Sequence, residues 1–236
     1  MSDENVTGGS KQATFRKAAP ARADGLTRAL LACGVTGPIL FILVFLVEEA
    51  TRPGYNLSQT FVSLLALGPN GWVQTANFLV CGVLVLAFVV GLRRVIAGSP
   101  ASVAGVIFLG LYALALIIAG IFTTDPGQGY PPGAHALSNP TAHGAVHALA
   151  GLFVFVTLTI AAISFTTRFA RLEGWRGWTI YSGLTAIIVF GFFFVSVAPT
   201  GGPAGLFQRV AITVGWVWVA ALAGRMLRDT QAARRT

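Results

Sequence analysis

His143 and His147 stand four residues apart in an apolar stretch. On a helix that spacing sets both imidazoles on one face, about 6 Å apart, a reach that suits one divalent metal ion such as zinc. Asp125 precedes Pro126, where a helix must end, and is placed to supply an oxygen ligand or to orient a histidine. The pair lacks the intervening Glu of a zincin helix, so a hydrogen-bonded structural pair stands as the commoner reading. A helix N-terminus disfavours imidazolium, which leaves neutral rings able to ligate or to shuttle protons.

Glu48 and Glu49 fall at the C-terminal end of one apolar block, against the negative pole of a helix. Arg209 falls three or four residues into another block, at a positive pole, in Gly205-Leu-Phe-Gln-Arg-Val-Ala. Each needs a compensating partner, and an ionisable residue at membrane depth marks a functional site by default, with the carboxylates as partners. A single interfacial Arg also snorkels to headgroups without further purpose. Arg52 follows the acidic pair, and Ser63 lies in the same loop.

These residues are held by an unusually apolar chain. Of 236 residues, 55% are apolar and 10% charged, against roughly 25% charged in a soluble domain. Mean hydropathy is +0.74, so there is too little polar surface to coat a soluble core. The formal charge of +8 comes from residues set between apolar blocks, which is how topology determinants lie and not how a nucleic-acid surface is built.

Six blocks reach the roughly 20 residues needed to cross a hydrocarbon core about 30 Å thick. They run over about residues 30–47, 72–92, 101–122, 143–166, 178–198 and 206–222. The expected fold is therefore all-α, a polytopic membrane protein with six transmembrane helices in one bundle. Alternate assignment of the connecting segments puts fourteen of the sixteen Lys and Arg on one side, leaving only Arg52 and Arg209 opposite. By the positive-inside bias both termini are cytoplasmic, and segments 48–71, 123–142 and 199–205 face outward. All three histidines, the acidic pair, Asp125 and Arg209 then gather in or beside outward helix ends.

Residues 1–28 form an expected disordered cytoplasmic tail, 29–228 the six-helix domain, and 229–236 a basic cytoplasmic tail. The first block is read as a retained helix, because Glu48, Glu49 and Arg52 follow it where a cleavage site would need small residues. In the outward segment, alternating apolar residues suggest a short interfacial or re-entrant helix near residues 58–67. Pro53-Gly54 would turn into it and Leu67-Gly68-Pro69 would end it. It either roofs a cavity or lies in the headgroups. Cys33 and Cys81 sit at different depths, which argues against a disulfide.

Several stretches resemble the bacterial and archaeal six-span membrane proteins of domain-of-unknown-function family 998. They are Gly34-Val-Thr-Gly-Pro38, Arg52-Pro-Gly-Tyr55 with Val62-Ser-Leu-Leu65, Asp125-Pro126, His143-Gly-Ala-Val-His147, and Phe207-Gln-Arg-Val210 with Trp216. In that order they cover about residues 30–228. The resemblance implies a six-helix membrane domain and no established activity. A remoter similarity is to membrane hydrolases of the alkaline ceramidase type, in which Ser63, Asp125, His143 and His147 would take parallel roles around zinc. Six spans instead of seven, and the histidine pair on the fourth helix instead of the last, set it apart.

Inventory excludes several functions. A retinal Schiff base needs an intramembrane Lys, and the lysines are Lys11 and Lys17 in the N-terminal tail. A haem held by two histidines needs ligands on opposite faces, and neither a Gly-x-Ser-x-Gly elbow nor a phosphate-binding Gly-Lys loop is present. The leading expectation is a multi-pass cell-membrane protein with an outward polar pocket for a small molecule, lipid headgroup or partner, drawing on Glu48, Glu49, Arg52, Ser63 and Arg209. The alternative is a metal-dependent hydrolase acting on lipid at the outer leaflet, with Asp125, His143 and His147 on the metal and Glu48 or Glu49 moving protons. A transporter has little support, since the middle and inner parts of the spans carry no ionisable relay. Catalytic residues, ligand identity and oligomeric state are open at this point.

Overall fold

The computed structural model describes residues 24–96, 98–135, 137–199 and 201–235, with side chains as far as residue 232. The expected N-terminal tail lies outside the described residues up to residue 23. Six long helices follow in chain order: α1 Gly25–Thr51, α2 Gly71–Val95, α3 Pro100–Ile121, α4 Ala142–Phe169, α5 Arg176–Val197 and α6 Ala204–Arg235. Among the described residues there is no strand, and all six helices are long and apolar enough to cross a membrane.

Helix starts follow capping chemistry. Asp24 accepts a hydrogen bond from the Thr27 amide at 2.7 Å, and its bonds from the Thr27 side chain and backbone hold its carboxyl below the usual range. Ser99 caps α3 ahead of Pro100 at the first helical position, and Thr141 caps α4 by accepting from the Gly144 amide at 3.0 Å. Two helices run well past the spans expected from sequence. α1 runs through Glu48 and Glu49 to Thr51, and α6 continues as helix through the basic segment beyond residue 228.

Successive helices pack against one another in chain order, and α6 closes the ring against α1. Close approach of α1 and α2 rests on Gly34, where any Cβ would enter the Phe88 ring. The core is aromatic: Phe41 of α1 stacks on Trp216 of α6 at 4.7 Å, and Tyr112 of α3 meets Trp216 edge-on at 5.5 Å. Outside, every helix exposes large apolar side chains, among them Leu43, Val83, Ile107, Phe153, Ile187 and Val217. Such a surface needs lipid around it.

One connection does more than join helices. Residues 52–70, between α1 and α2, cross the end of the bundle as a strap and carry a single 3-10 helix, Val62–Ala66. The short helix expected near residues 58–67 is therefore this 3-10 turn. Val62, Leu64 and Leu65 are buried within it, so it is seated in the bundle end instead of floating in the headgroup layer.

Candidate functional site

Two ion pairs, built on the adjacent Glu48 and Glu49 at the end of α1, fasten the strap. Glu48, in the last turn of α1, pairs with Arg52 at 2.5 Å, and both are buried. Arg52 also donates to the carbonyls of Leu65 at 3.1 Å and Leu67 at 3.3 Å, so it ends the 3-10 helix. Glu48 thereby gains the cation that its place at a helix C-terminus requires.

The second pair joins the first helix to the last. Arg209 of α6 donates from Nε to Glu49 Oε2 at 2.8 Å, with both side chains about nine-tenths buried. Its remaining nitrogens go to the carbonyls of Thr60 at 3.0 Å and Gly205 at 2.8 Å and to the Tyr55 hydroxyl at 2.6 Å. The guanidinium also lies 5.5 Å from the centre of the Tyr55 ring. Burial pushes the Tyr55 phenol up to about 12, against the opposing pull of Arg209. It therefore stays protonated at neutral pH and donates to the Thr60 and Phe61 carbonyls.

Three further contacts seat the strap. Gln208 Oε1 accepts from the Val62 amide at 2.9 Å, and the Leu206 amide donates to the Ser58 carbonyl at 3.1 Å. Gln128 sits beside Gly129 in a tight turn, both with positive φ, between the bridged residues Gly127 and Tyr130. That turn brings Gln128 Oε1 to the Phe61 amide at 2.8 Å.

Beneath the strap lies a half-open cavity of about 260 Å³. Its walls are mainly apolar and come from all six helices and the strap, with Phe41, Phe78, Phe155, Phe193 and Trp216 among them. Five lining side chains carry polar atoms: Ser63, Thr124, His147, Gln208 and the indole of Trp216. Ala119, Ala148 and Gly151 leave the space, since their side chains are too small to fill it. Leu152 and Val197 also line it, yet are 40% and 51% exposed on the bundle flank. The mouth thus faces the apolar flank between α4 and α5, above the stacked pair Phe155 and Phe193 at 4.2 Å.

The residues singled out from sequence divide into separate groups. Glu48, Glu49, Arg52 and Arg209 form the two clamps and do not line the cavity; Ser63 does. His143 is exposed, with its ring against Phe122, while His147 is buried and lines the cavity. His147 Nδ1 lies 3.0 Å from the Ala119 carbonyl and 2.8 Å from that of Phe122, so Nδ1 carries the proton and donates to the open end of α3. Asp125 accepts from the Thr141 amide at 2.8 Å and hydroxyl at 2.6 Å, tying the exit of α3 to the cap of α4. Among the described residues no three of His, Cys, Asp and Glu form a group that could hold a metal ion.

Thr124 and Gln128 have no place among the candidates from sequence, and Tyr55 and Gln208 enter there only within the stretches that carry the family resemblance. Gln208 had a signal, an amide inside an apolar block beside Arg209, but it carries no charge to draw notice.

The family described as protein of unknown function (DUF998) matches residues 35–225. The chain belongs to that family. In this member of the DUF998 family the matched span reaches from the third turn of α1 into the last third of α6, so strap, clamps and cavity all lie within it. No curated protein and no solved structure matches the chain.

Proposed function

We propose that this DUF998 member is a cell-membrane protein with both termini cytoplasmic, and that the cavity under the strap binds a small amphiphile on the extracytoplasmic side. The observation that carries the reading is the cavity itself, a concave apolar space with a few convergent polar groups, as ligand sites have. Its volume lies just below the roughly 300–1,000 Å³ of drug-sized sites, which favours a small or single-chain occupant. The mouth beside Leu152 and Val197 gives such a molecule a path from the bilayer. The skew of Lys and Arg supports the orientation.

The clamps hold the roof over this space. They fix the strap with buried charge, so the site is preformed and its polar groups keep their places. The metal-dependent hydrolase reading has no comparable observation, because Asp125 is engaged by Thr141 and His143 lies exposed at the rim.

Gly151 tests the proposal. It lines the cavity, and a Cβ there would meet nothing within 4 Å, so Gly151→Leu adds bulk to the lining with no clash at its Cβ. Native mass spectrometry of gently extracted protein is expected to show a copurified amphiphile on the wild type and its loss from the variant. A wild type without adduct, or equal adducts on both, would overturn the reading.

A further inference from the structure

We infer that the occupant of this cavity is an uncharged amphiphile headed by a hydroxyl group, an inference that rests on the cavity's being a binding site. His147 is 6% exposed, and its Nδ1 proton is committed to the Ala119 and Phe122 carbonyls. In the neutral ring this leaves Nε2 as an acceptor, with no hydrogen-bond partner among the described residues. Gln208 is 8% exposed and spends its oxygen on the Val62 amide, so its NH₂ group is what it has left to donate. Ser63 adds a hydroxyl without a hydrogen-bond partner among the described residues.

An alcohol matches this set. An O–H donates to Nε2, and the alcohol oxygen accepts from an N–H or O–H of the lining such as the Gln208 amide or the Ser63 hydroxyl. A carboxylate or phosphate finds no cation, because no Lys or Arg lines the cavity and Arg209, outside it, is paired with Glu49 and bonded to Tyr55, Thr60 and Gly205. An ammonium finds no carboxylate there either. A charged head would be buried without a counter-ion, at a cost that an apolar wall cannot repay.

The test compares heads on one chain: decanol, its methyl ether, decanoate and decylamine, each offered at equal concentration to delipidated full-length protein and read as bound fraction by native mass spectrometry. Decanol is expected to bind roughly tenfold tighter than each of the others, the ether losing because it cannot donate to Nε2. His147→Phe keeps a ring but removes the acceptor, and is expected to erase the preference of alcohol over ether. The wild-type series decides the matter even if that variant fails to fold. Decanoate or decylamine binding as well as decanol, or ether equal to alcohol, overturns the inference while leaving the cavity a binding site. If none of the four binds, or if Gly151→Leu leaves all four unchanged, the binding reading falls with it.

Discussion

Replacing Arg209 with methionine is expected to destabilise the protein by about 3–5 kcal/mol, the usual cost of stripping one partner from a buried ion pair. Glu49 would keep a buried charge, and Tyr55 and the Thr60 carbonyl would each lose a donor. The effect should be seen as a lower melting midpoint in detergent, followed by aromatic circular dichroism. A second change separates charge from shape. Glu49→Gln in the Arg209→Met background removes the stranded carboxylate and is expected to recover part of the loss, whereas two independent packing defects would add. Arg209→Lys should recover little, because an ammonium cannot reach four acceptors arranged around a planar fork.

Gly205→Ala is expected to loosen the strap. An added Cβ would stand 2.6 Å from the Thr60 carbonyl oxygen, 2.8 Å from that of Leu57 and 2.8 Å from the Thr60 nitrogen, all backbone atoms that cannot rotate aside. Strap and α6 must separate, at a cost of about 1–3 kcal/mol for overpacking. The separation acts on the bonds from Leu206 to Ser58 and from Val62 to Gln208. Hydrogen exchange reads it locally, and the amides of Val62 and Leu64 should exchange roughly tenfold faster for each 1.4 kcal/mol lost. Amides in the middle of α3, such as that of Leu109, should be unaffected. Uniform acceleration across the bundle would mean that the glycine supports the whole fold and not the strap.

The two variants also show what could be read without coordinates. Spans were legible because a bilayer demands length and apolarity from each helix separately. That Arg209 needs a carboxylate was legible as well, from its place at a helix start. Which carboxylate was not, because Glu48 and Glu49 differ by 100° around α1 and only the packing of α6 against α1 assigns them. The spacing of His143 and His147 suggested a shared environment. Depth separates them instead: one more helical turn carries His147 into the interface with α3 while His143 remains at the rim. The cavity left least trace in the sequence. It depends on the small residues Ala119 of α3 and Ala148 and Gly151 of α4 in its lining, and a small residue in a membrane helix ordinarily marks close packing.

That the pocket opens on the outward side is the claim on which its proposed ligand supply depends, and thiol accessibility in intact cells tests it. Cys81 is fully buried and can stay, while Cys33→Ala removes the other thiol. Ser138→Cys is exposed at the cavity end, between α3 and α4, and Glu173→Cys is exposed at the opposite end, between α4 and α5. A membrane-impermeant maleimide should label position 138 on intact cells and position 173 only after permeabilisation. The reverse pattern would place strap, clamps and cavity in the cytoplasm and contradict the account.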